Sequence, residues 1–274
     1  MIQDINPHKL NNQYDVNARP KDTDKVISID GDLMLVSAKD YADNILKFPA
    51  VAQVKDAQYT YLFDIDGIGY YKTCVPAFEG FEYHHHKEIR RGDLAPDFEI
   101  YAAMTAKHLS DWYRDNTFCG RCGARSEHSE TERAKVCPEC GYTCYPRIMP
   151  AVIVGVTNGD RIVLTRYRVG YGHNALVAGF AEIGETIEET VAREVMEETG
   201  LKAKNIRYYK SQPWGVANDL LFGFYCDVDG DDTIHMDEGE LKYAEWTKRE
   251  DIVLQPDNFS LTNEMMRMFM EGKE

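Results

Sequence analysis

Gly179-Phe-Ala-Glu-Ile-Gly-Glu185-Thr-Ile-Glu-Glu-Thr-Val-Ala-Arg193-Glu194-Val-Met-Glu197-Glu198-Thr-Gly200-Leu201 places seven glutamates in one glycine-bounded loop and helix. Thr186 with Glu189 three residues on is a capping-box pair, and Val191 and Val195 repeat at helical spacing, so a helix is expected to begin near Ile187. Gly200 ends it by taking a left-handed conformation without a Cβ penalty. Leu201 is expected to fold back onto Met196 in a Schellman-type closure.

On that helix Glu194 and Glu198 lie four apart on nearly one face, with Glu197 beside them. Like charges at this spacing repel by a few tenths of a kcal/mol per pair, roughly. Arg193 is the helix's one cation. An acidic helix on an acidic chain is commonly just a solvated face, but a hard divalent cation would turn this repulsion into binding. Magnesium takes carboxylate oxygens and keeps waters that bridge to phosphate.

Gly179, five residues, Glu185, seven residues, Arg193-Glu194, an aliphatic Val195, one residue, Glu197-Glu198, one residue, Gly200 and an aliphatic Leu201 match the Nudix box at every fixed position. The chain therefore resembles the Nudix hydrolases. The resemblance implies an α+β fold built on the Nudix α-β-α sandwich, and hydrolysis of a nucleoside diphosphate linked to another group. It implies Glu194 and Glu198 as ligands of magnesium or manganese. A box glutamate, or a water it orients, would start the attack, which makes Arg193, Glu194, Glu197 and Glu198 the candidate catalytic set. The chemistry is consistent: a pyrophosphate enters an already negative site only with bridging metal ions.

The chain has 274 residues and a net charge of −15. That length accommodates two or three folding units. The charge argues against broad gripping of a nucleic-acid backbone, which needs clustered Lys and Arg. The longest apolar run, Ile148 to Val156 with Pro150 inside it, is far below the roughly 20 residues that cross a bilayer. Met1-Ile-Gln-Asp-Ile-Asn-Pro7 lacks the basic and apolar regions of a secretory signal, so no membrane association and a cytoplasmic location are expected.

Cys119-Gly-Arg-Cys122-Gly and Cys137-Pro-Glu-Cys140-Gly are two knuckles separated by fourteen residues, the spacing of a zinc ribbon. Four thiolates close a tetrahedral Zn2+ site, leaving no position for water, so this zinc is structural. Cys144 is expected to be a bystander. With Cys74 and Cys226 it is read as a small buried apolar residue, not a disulfide partner. Between the knuckles Arg125, Arg133 and Lys135 are offset by Glu127, Glu130 and Glu132, so the ribbon reads as a folding staple; an RNA-binding zinc-ribbon protein is the non-enzyme alternative.

Tyr101 to Tyr113 reads as an amphipathic helix, with Met104, His108 and Trp112 or Ala102, Ala106 and Leu109 as its stripe. Val26 to Ser37 and Ala57 to Gly69 read as short strands broken by Asp30-Gly31-Asp32 and Asp64-Ile-Asp66-Gly67. Consecutive side chains of His84-His85-His86 alternate in an extended segment and do not converge on a metal; Asp64 and Asp66 lack the rest of a calcium loop. Downstream, Asn158-Gly159-Asp160 marks a hairpin between Ala151–Val156 and Arg161–Thr165. Ile206–Lys210, Leu220–Val228 and Tyr243–Thr247 are further strands, and Leu261–Met270 a helix. The expected domains are a strand-rich N-terminal domain ending in a linking helix (1–113), the ribbon (114–146) and the Nudix domain (147–274).

Ser211-Gln212-Pro213-Trp214, the four-cysteine ribbon and the Tyr145-Pro146-Arg147 link together resemble the NADH pyrophosphatase branch of the family, from about Trp112 onward. That branch attacks the pyrophosphate of NADH or NAD to give AMP and nicotinamide mononucleotide; some members remove the NAD cap from the 5′ end of RNA. Homodimers are implied by the family alone. Carried over by position, the carbonyl of Ala178 with Glu194, Glu198 and Glu240 holds the catalytic metals. Phe180 stacks on an aromatic ring of the dinucleotide, Tyr145 and Glu132 contact substrate, Gln212 to Asp219 (with Pro213 and Trp214) form a recognition loop, and Arg90 and Thr262 also contact substrate. Glu240 also makes sense chemically, since a loop carboxylate swung toward the box helix completes an oxygen-rich site. The branch usually continues its tetrapeptide with Pro-Phe-Pro, whereas Gly215-Val216-Ala217 stands here. Losing that ring implies a looser pocket, with a broader dinucleotide or ADP-sugar pyrophosphatase as the alternative.

Overall fold

The computed structural model describes residues 1–90, 94–169 and 172–274. They form two compact units, one of residues 2–147 with 215–218, the other of Met1, 148–214 and 219–274. Among the described residues no helix is long and apolar enough to cross a membrane.

In the first unit, β1 (Leu10–Asn11), β2 (Lys25–Asp30), β3 (Leu33–Ser37), β4 (Thr60–Ile65), β5 (Ile68–Thr73) and β6 (Phe81–His85) make a sheet ordered β1-β4-β5-β2-β3-β6. Both breaks expected from sequence are hairpin turns. Asp30 pairs with Leu33 across Gly31-Asp32, and Ile65 with Ile68 across Asp66-Gly67. Asp66 and Gly67 both have positive φ (52° and 80°), as a type I′ turn requires.

Short helices α1 (Ala38–Ala42) and α2 (His86–Ile89) precede the long α3 (Asp97–Asp115), which packs on β2, β4 and β5. Both candidate stripes of α3 are buried apart from the half-exposed His108, and Lys107 and Asp111 form an ion pair of 2.7 Å inside the unit. A helix covered nearly all round has no single stripe to read. Of the three histidines, His84 stacks on Tyr41 at 4.1 Å, but the rings of His85 and His86 lie 4.6 Å apart, because the extended run ends at His85 and α2 begins at His86, whose Nδ1 faces Asp32 O at 3.1 Å.

The ribbon follows, with β7 (Glu127–His128), β8 (Lys135–Val136) and β9 (Thr143–Cys144) in one small antiparallel sheet. It belongs to the first compact unit, tied there by Arg133, whose guanidinium donates to Leu62 O at 2.5 Å. The expectation that the three remaining cysteines are buried holds only for Cys226. Cys74 is exposed, and Cys144 is half-buried with its thiol 3.1 Å from Asn116 Oδ1.

The second unit is built on β10 (Met149–Asn158), which pairs in parallel with β14 (Asp219–Val228) and antiparallel with β11 (Arg161–Tyr167) and β12 (Val177–Phe180). β13 (Ala203–Trp214) and β15 (Leu241–Lys248) complete the edges. Side chains alternate along β10. Val152, Val154 and Val156 pack toward α4 (Ile187–Thr199), with Val191, Val195 and Leu201, while Ala151 and Ile153 pack toward α5 (Leu261–Met270), with Leu261, Met265 and Phe269. The sheet is thus sandwiched between two helices, the expected α-β-α arrangement.

The box helix has the expected limits, Ile187 to Thr199, with Thr186 and Glu189 in a reciprocal capping box. Its end differs in detail. Gly200 is left-handed (φ 71°) and its N–H bonds Met196 O at 2.9 Å, but the Leu201 N–H goes to Thr199 Oγ1 at 3.3 Å. Leu201 lies in the core with Val191 and Val195, while Met196 is 40% exposed, so the core outcompetes the local contact.

Candidate active site and zinc ribbon

Arg193 organises the carboxylates of the box. Its Nε and Nη2 grip Glu185 at 2.6 and 2.9 Å, Nη1 reaches Glu194 at 2.7 Å and Glu197 at 2.9 Å, and Nη2 also donates to the carbonyl of Phe180 at 2.9 Å. One guanidinium thus pins the loop to the helix, a bidentate task suited to Arg and not to Lys. The Arg193 hydrogen bonds hold Glu185 down at about 2, aided by the Glu182 N–H. Arg193 itself is raised further, chiefly by Glu185.

Glu198 is in the opposite situation. It is 2% exposed, and its Oε1 accepts from the Ala178 N–H at 3.2 Å and from the Tyr167 hydroxyl at 3.1 Å. Its Oε2 is buried with no hydrogen-bond partner. Desolvation pushes Glu198 up to about 8, with the charges of Glu240 and Glu194 adding to it and the bonds from Ala178 and Tyr167 opposing. Glu194 is also raised by burial, against the pull of Arg193. A buried carboxylate oxygen without a donor, among like charges, is a position that a cation would balance.

The backbone makes room for this cluster. A Cβ on Gly179 would lie 2.0 Å from the Glu194 carboxyl carbon, so the glycine is what lets that carboxylate lie against β12. Glu240 stands in an exposed turn before β15, where its carbonyl accepts the Arg168 N–H at 3.0 Å. The same turn is tethered to the end of α4, for Asp237 N–H donates to the Glu198 carbonyl at 3.1 Å. Among the described residues only the four cysteines bring their ligand atoms within 4.8 Å of one another; Glu194, Glu198 and Glu240 are more widely spread as a set.

Of the residues expected to meet substrate, Phe180 ends β12 and is 52% exposed, beside the Arg193 clamp. Thr262 is half-buried in the first turn of α5. Asp219 is 7% exposed, with Oδ1 unpartnered, and desolvation pushes it up to about 6. Arg90, at the end of α2, and Glu132 and Tyr145 belong to the first unit; there the Tyr145 hydroxyl donates to Glu132 Oε1 at 3.0 Å.

The expected recognition loop is corrected by the structure. Gln212, Pro213 and Trp214 are the last residues of β13, paired with Leu221, Leu220 and Asp219, so only Gly215 to Asn218 form the turn. Gln212 is fully buried: its Nε2 donates to Phe259 O and its Oε1 accepts from Leu261 N–H, both at 2.7 Å. Its side chain fastens the strand to the start of α5, and Trp214 packs against the α5 core. The departure at Gly215 has a steric cause, since a Cβ there would lie 2.2 Å from Met104 O.

Two site residues were given no role from sequence. Glu185 had a usable signal, being eight residues before its partner Arg193 within the box. Tyr167 had none, because it meets Glu198 across 31 residues of chain.

In the ribbon, Cys119 Sγ lies 3.7 Å from Cys140 Sγ, and Cys122 Sγ 3.4 Å from Cys137 Sγ. The two knuckles share one geometry: Gly123 N–H bonds Cys119 O and Gly141 N–H bonds Cys137 O, with both glycines at positive φ (77° and 70°). The donor set is that of a closed zinc site, and Cys144 is outside it.

Sandwich, box and ribbon define a class. Residues 147–269 match the family described as NUDIX domain, and residues 114–145 match the NADH pyrophosphatase zinc ribbon domain, so these two segments are similar to those two families. Among curated relatives, the NAD-capped RNA hydrolase NudC of Enterobacter sp. (strain 638) is 44% identical over 149 residues, 54% of this chain and 57% of that protein. The protein of the same name from Escherichia coli (strain K12 / DH10B) is 42% identical over 151 residues, 54% of this chain and 58% of that one. The chain thus spans less than two thirds of the length of these relatives. A NUDIX hydrolase from Nitrosomonas europaea, known from a crystal structure, shares the fold with a TM-score of 0.51 at 20% identity, over 57% of this chain and 92% of that one.

Proposed function

We propose that the protein hydrolyses the pyrophosphate bond of NADH or NAD to AMP and nicotinamide mononucleotide, and removes NAD caps from RNA. The observation that carries this reading is the unpartnered, buried Oε2 of Glu198 beside Glu194 and within the field of Glu240. Glu194, Glu198, Glu240 and the carbonyl of Ala178 would hold magnesium or manganese, which supplies Lewis-acid polarisation and charge neutralisation at the diphosphate. Arg193 keeps Glu194 and Glu197 aimed, Glu197 orients water, and the exposed face of Phe180 offers a stacking platform. The relatives' names and the ribbon support the dinucleotide as substrate; the resemblance supports a homodimer.

Purified protein incubated with NADH, NAD, ADP-ribose and diadenosine polyphosphates, with magnesium or manganese, should release AMP and nicotinamide mononucleotide fastest from the first two. Equal rates on all four would instead favour the broader pyrophosphatase, a reading suggested by the ring-free Gly215-Val216-Ala217 turn. No cleavage of any, together with tight RNA binding, would remove the enzyme reading. In the same assay Gly179→Ala should cost about a hundredfold in kcat/KM, the order expected for a misplacement of about 1 Å in a positioned group. Its melting temperature should stay near that of the wild type, because the displaced group is a side-chain end. Unchanged kcat/KM would show that Glu194 does not need its place against β12.

A further inference from the structure

Tyr167 is used by no part of the reaction described above, yet it stands where the segments bearing the proposed metal ligands meet. Its hydroxyl lies 3.1 Å from Glu198 Oε1 on α4 and 3.3 Å from the carbonyl of Ala178 on β12. Across the sheet its register partner is Leu241, the residue after Glu240, and the register shifts between Arg166 and Tyr167. Such an irregularity re-aims a side chain relative to the strand before it. The neighbouring Arg168 holds the third segment, its N–H on Glu240 O at 3.0 Å and its Nε on Leu241 O at 3.1 Å.

We propose that Tyr167 is a positioning residue for the catalytic metal, acting by fixing which oxygen of Glu198 is offered to it. This rests on the metal-dependent reading of the site. A free carboxylate can turn either oxygen toward a ligand. Here Oε1 receives two donors, the Ala178 N–H and the Tyr167 hydroxyl, while Oε2 receives none. Two donors on one oxygen set the plane and direction of the carboxylate and leave the other oxygen as the vacant acceptor.

A phenol has one proton and cannot donate to Glu198 and Ala178 together. When the Ala178 carbonyl is taken by a cation, the proton is left to Glu198 Oε1 alone, so metal binding and the Tyr167–Glu198 bond reinforce each other. Donors behind a ligand orient it and tune its affinity, and losing one commonly costs about 10–100-fold in metal binding.

The test is Tyr167→Phe, which keeps the ring and removes only the donor. Manganese binding to the full chain is followed by the loss of the free Mn2+ electron paramagnetic resonance signal, with wild type and Glu198→Gln as controls. Y167F should raise the Mn2+ dissociation constant about tenfold, while its metal-free melting temperature stays close to that of the wild type. Hydrolysis of NADH should be impaired at low Mn2+ and recover toward wild type as Mn2+ saturates, a split that a general structural defect does not give.

A dissociation constant equal to that of the wild type, with E198Q still losing the site, would overturn the role of Tyr167 and leave the metal reading standing. If the wild type and E198Q bind Mn2+ equally, the metal reading fails first and this inference with it. A metal-free Y167F that is unfolded would make the phenol a structural prop and would also overturn the inference.

Discussion

Glu198→Gln is expected to lower turnover by roughly a thousandfold or more, the several kcal/mol that a lost metal ligand represents, while leaving the fold intact. The amide keeps the size of the side chain and an oxygen to accept from Ala178 and Tyr167. What it loses is the charge at the unpartnered Oε2. The same substitution has a second signature in stability.

The folded-state pKa of Glu198 is raised, to about 8 from 4.5, so the folded protein holds a proton that the unfolded chain releases. Below 4.5 both states are protonated and the group has no effect. Between 4.5 and 8 stability falls with pH, and above 8 the loss is complete. Metal-free E198Q should therefore melt above the metal-free wild type at pH 8–9 and level with it at pH 4, with an advantage on the order of a few kcal/mol at most. Magnesium should reverse the order by stabilising only the wild type. A variant that is as active as wild type would place the chemistry elsewhere.

Removing zinc is expected to have the largest effect on the first unit. Metal binding at a site of four thiolates is itself folding free energy, on the order of 10 kcal/mol in isolated zinc peptides. The ribbon's small sheet has little apolar core to replace it. Its loss would also release Arg133 from Leu62 O and the stack of His128 on Tyr113, at 5.1 Å between ring centres. Cys137→Ser, or a zinc-selective chelator, should lower the melting transition of this unit by about 10 °C or more, taking several kcal/mol as the net loss. Magnesium-dependent hydrolysis should decline only as that unfolding proceeds. Loss of activity with unchanged circular dichroism would contradict a structural role for the zinc.

Much of the second unit was legible because its signals are local. Thr186 with Glu189, Gly200 and the spacing of Val191 and Val195 fixed the box helix to within a residue, and Leu261–Met270 was likewise periodic over its whole length. The knuckles were legible because metal ligation constrains spacing. What escaped depends on packing between distant segments. Gln212 looks like a binding residue in sequence and is a buried strap to α5, a fact set by Phe259 and Leu261 some fifty residues away. Tyr167 is an ordinary strand residue until β11, β12 and α4 are assembled. Cys74 and the all-round burial of α3 show the same limit, since periodicity reports one buried face and not how many neighbours cover the others.

On the proposed reading, the crowded carboxylates of α4 hold a catalytic divalent cation. Titration of Mn2+ into wild type and E198Q, read by the resonance of the free ion at pH 8, tests it most directly. The wild type should remove Mn2+ from solution at a site that E198Q lacks, and that occupancy should parallel the rate of NADH cleavage. Equal Mn2+ uptake by both proteins, or cleavage that runs at full rate before the site fills, would contradict it.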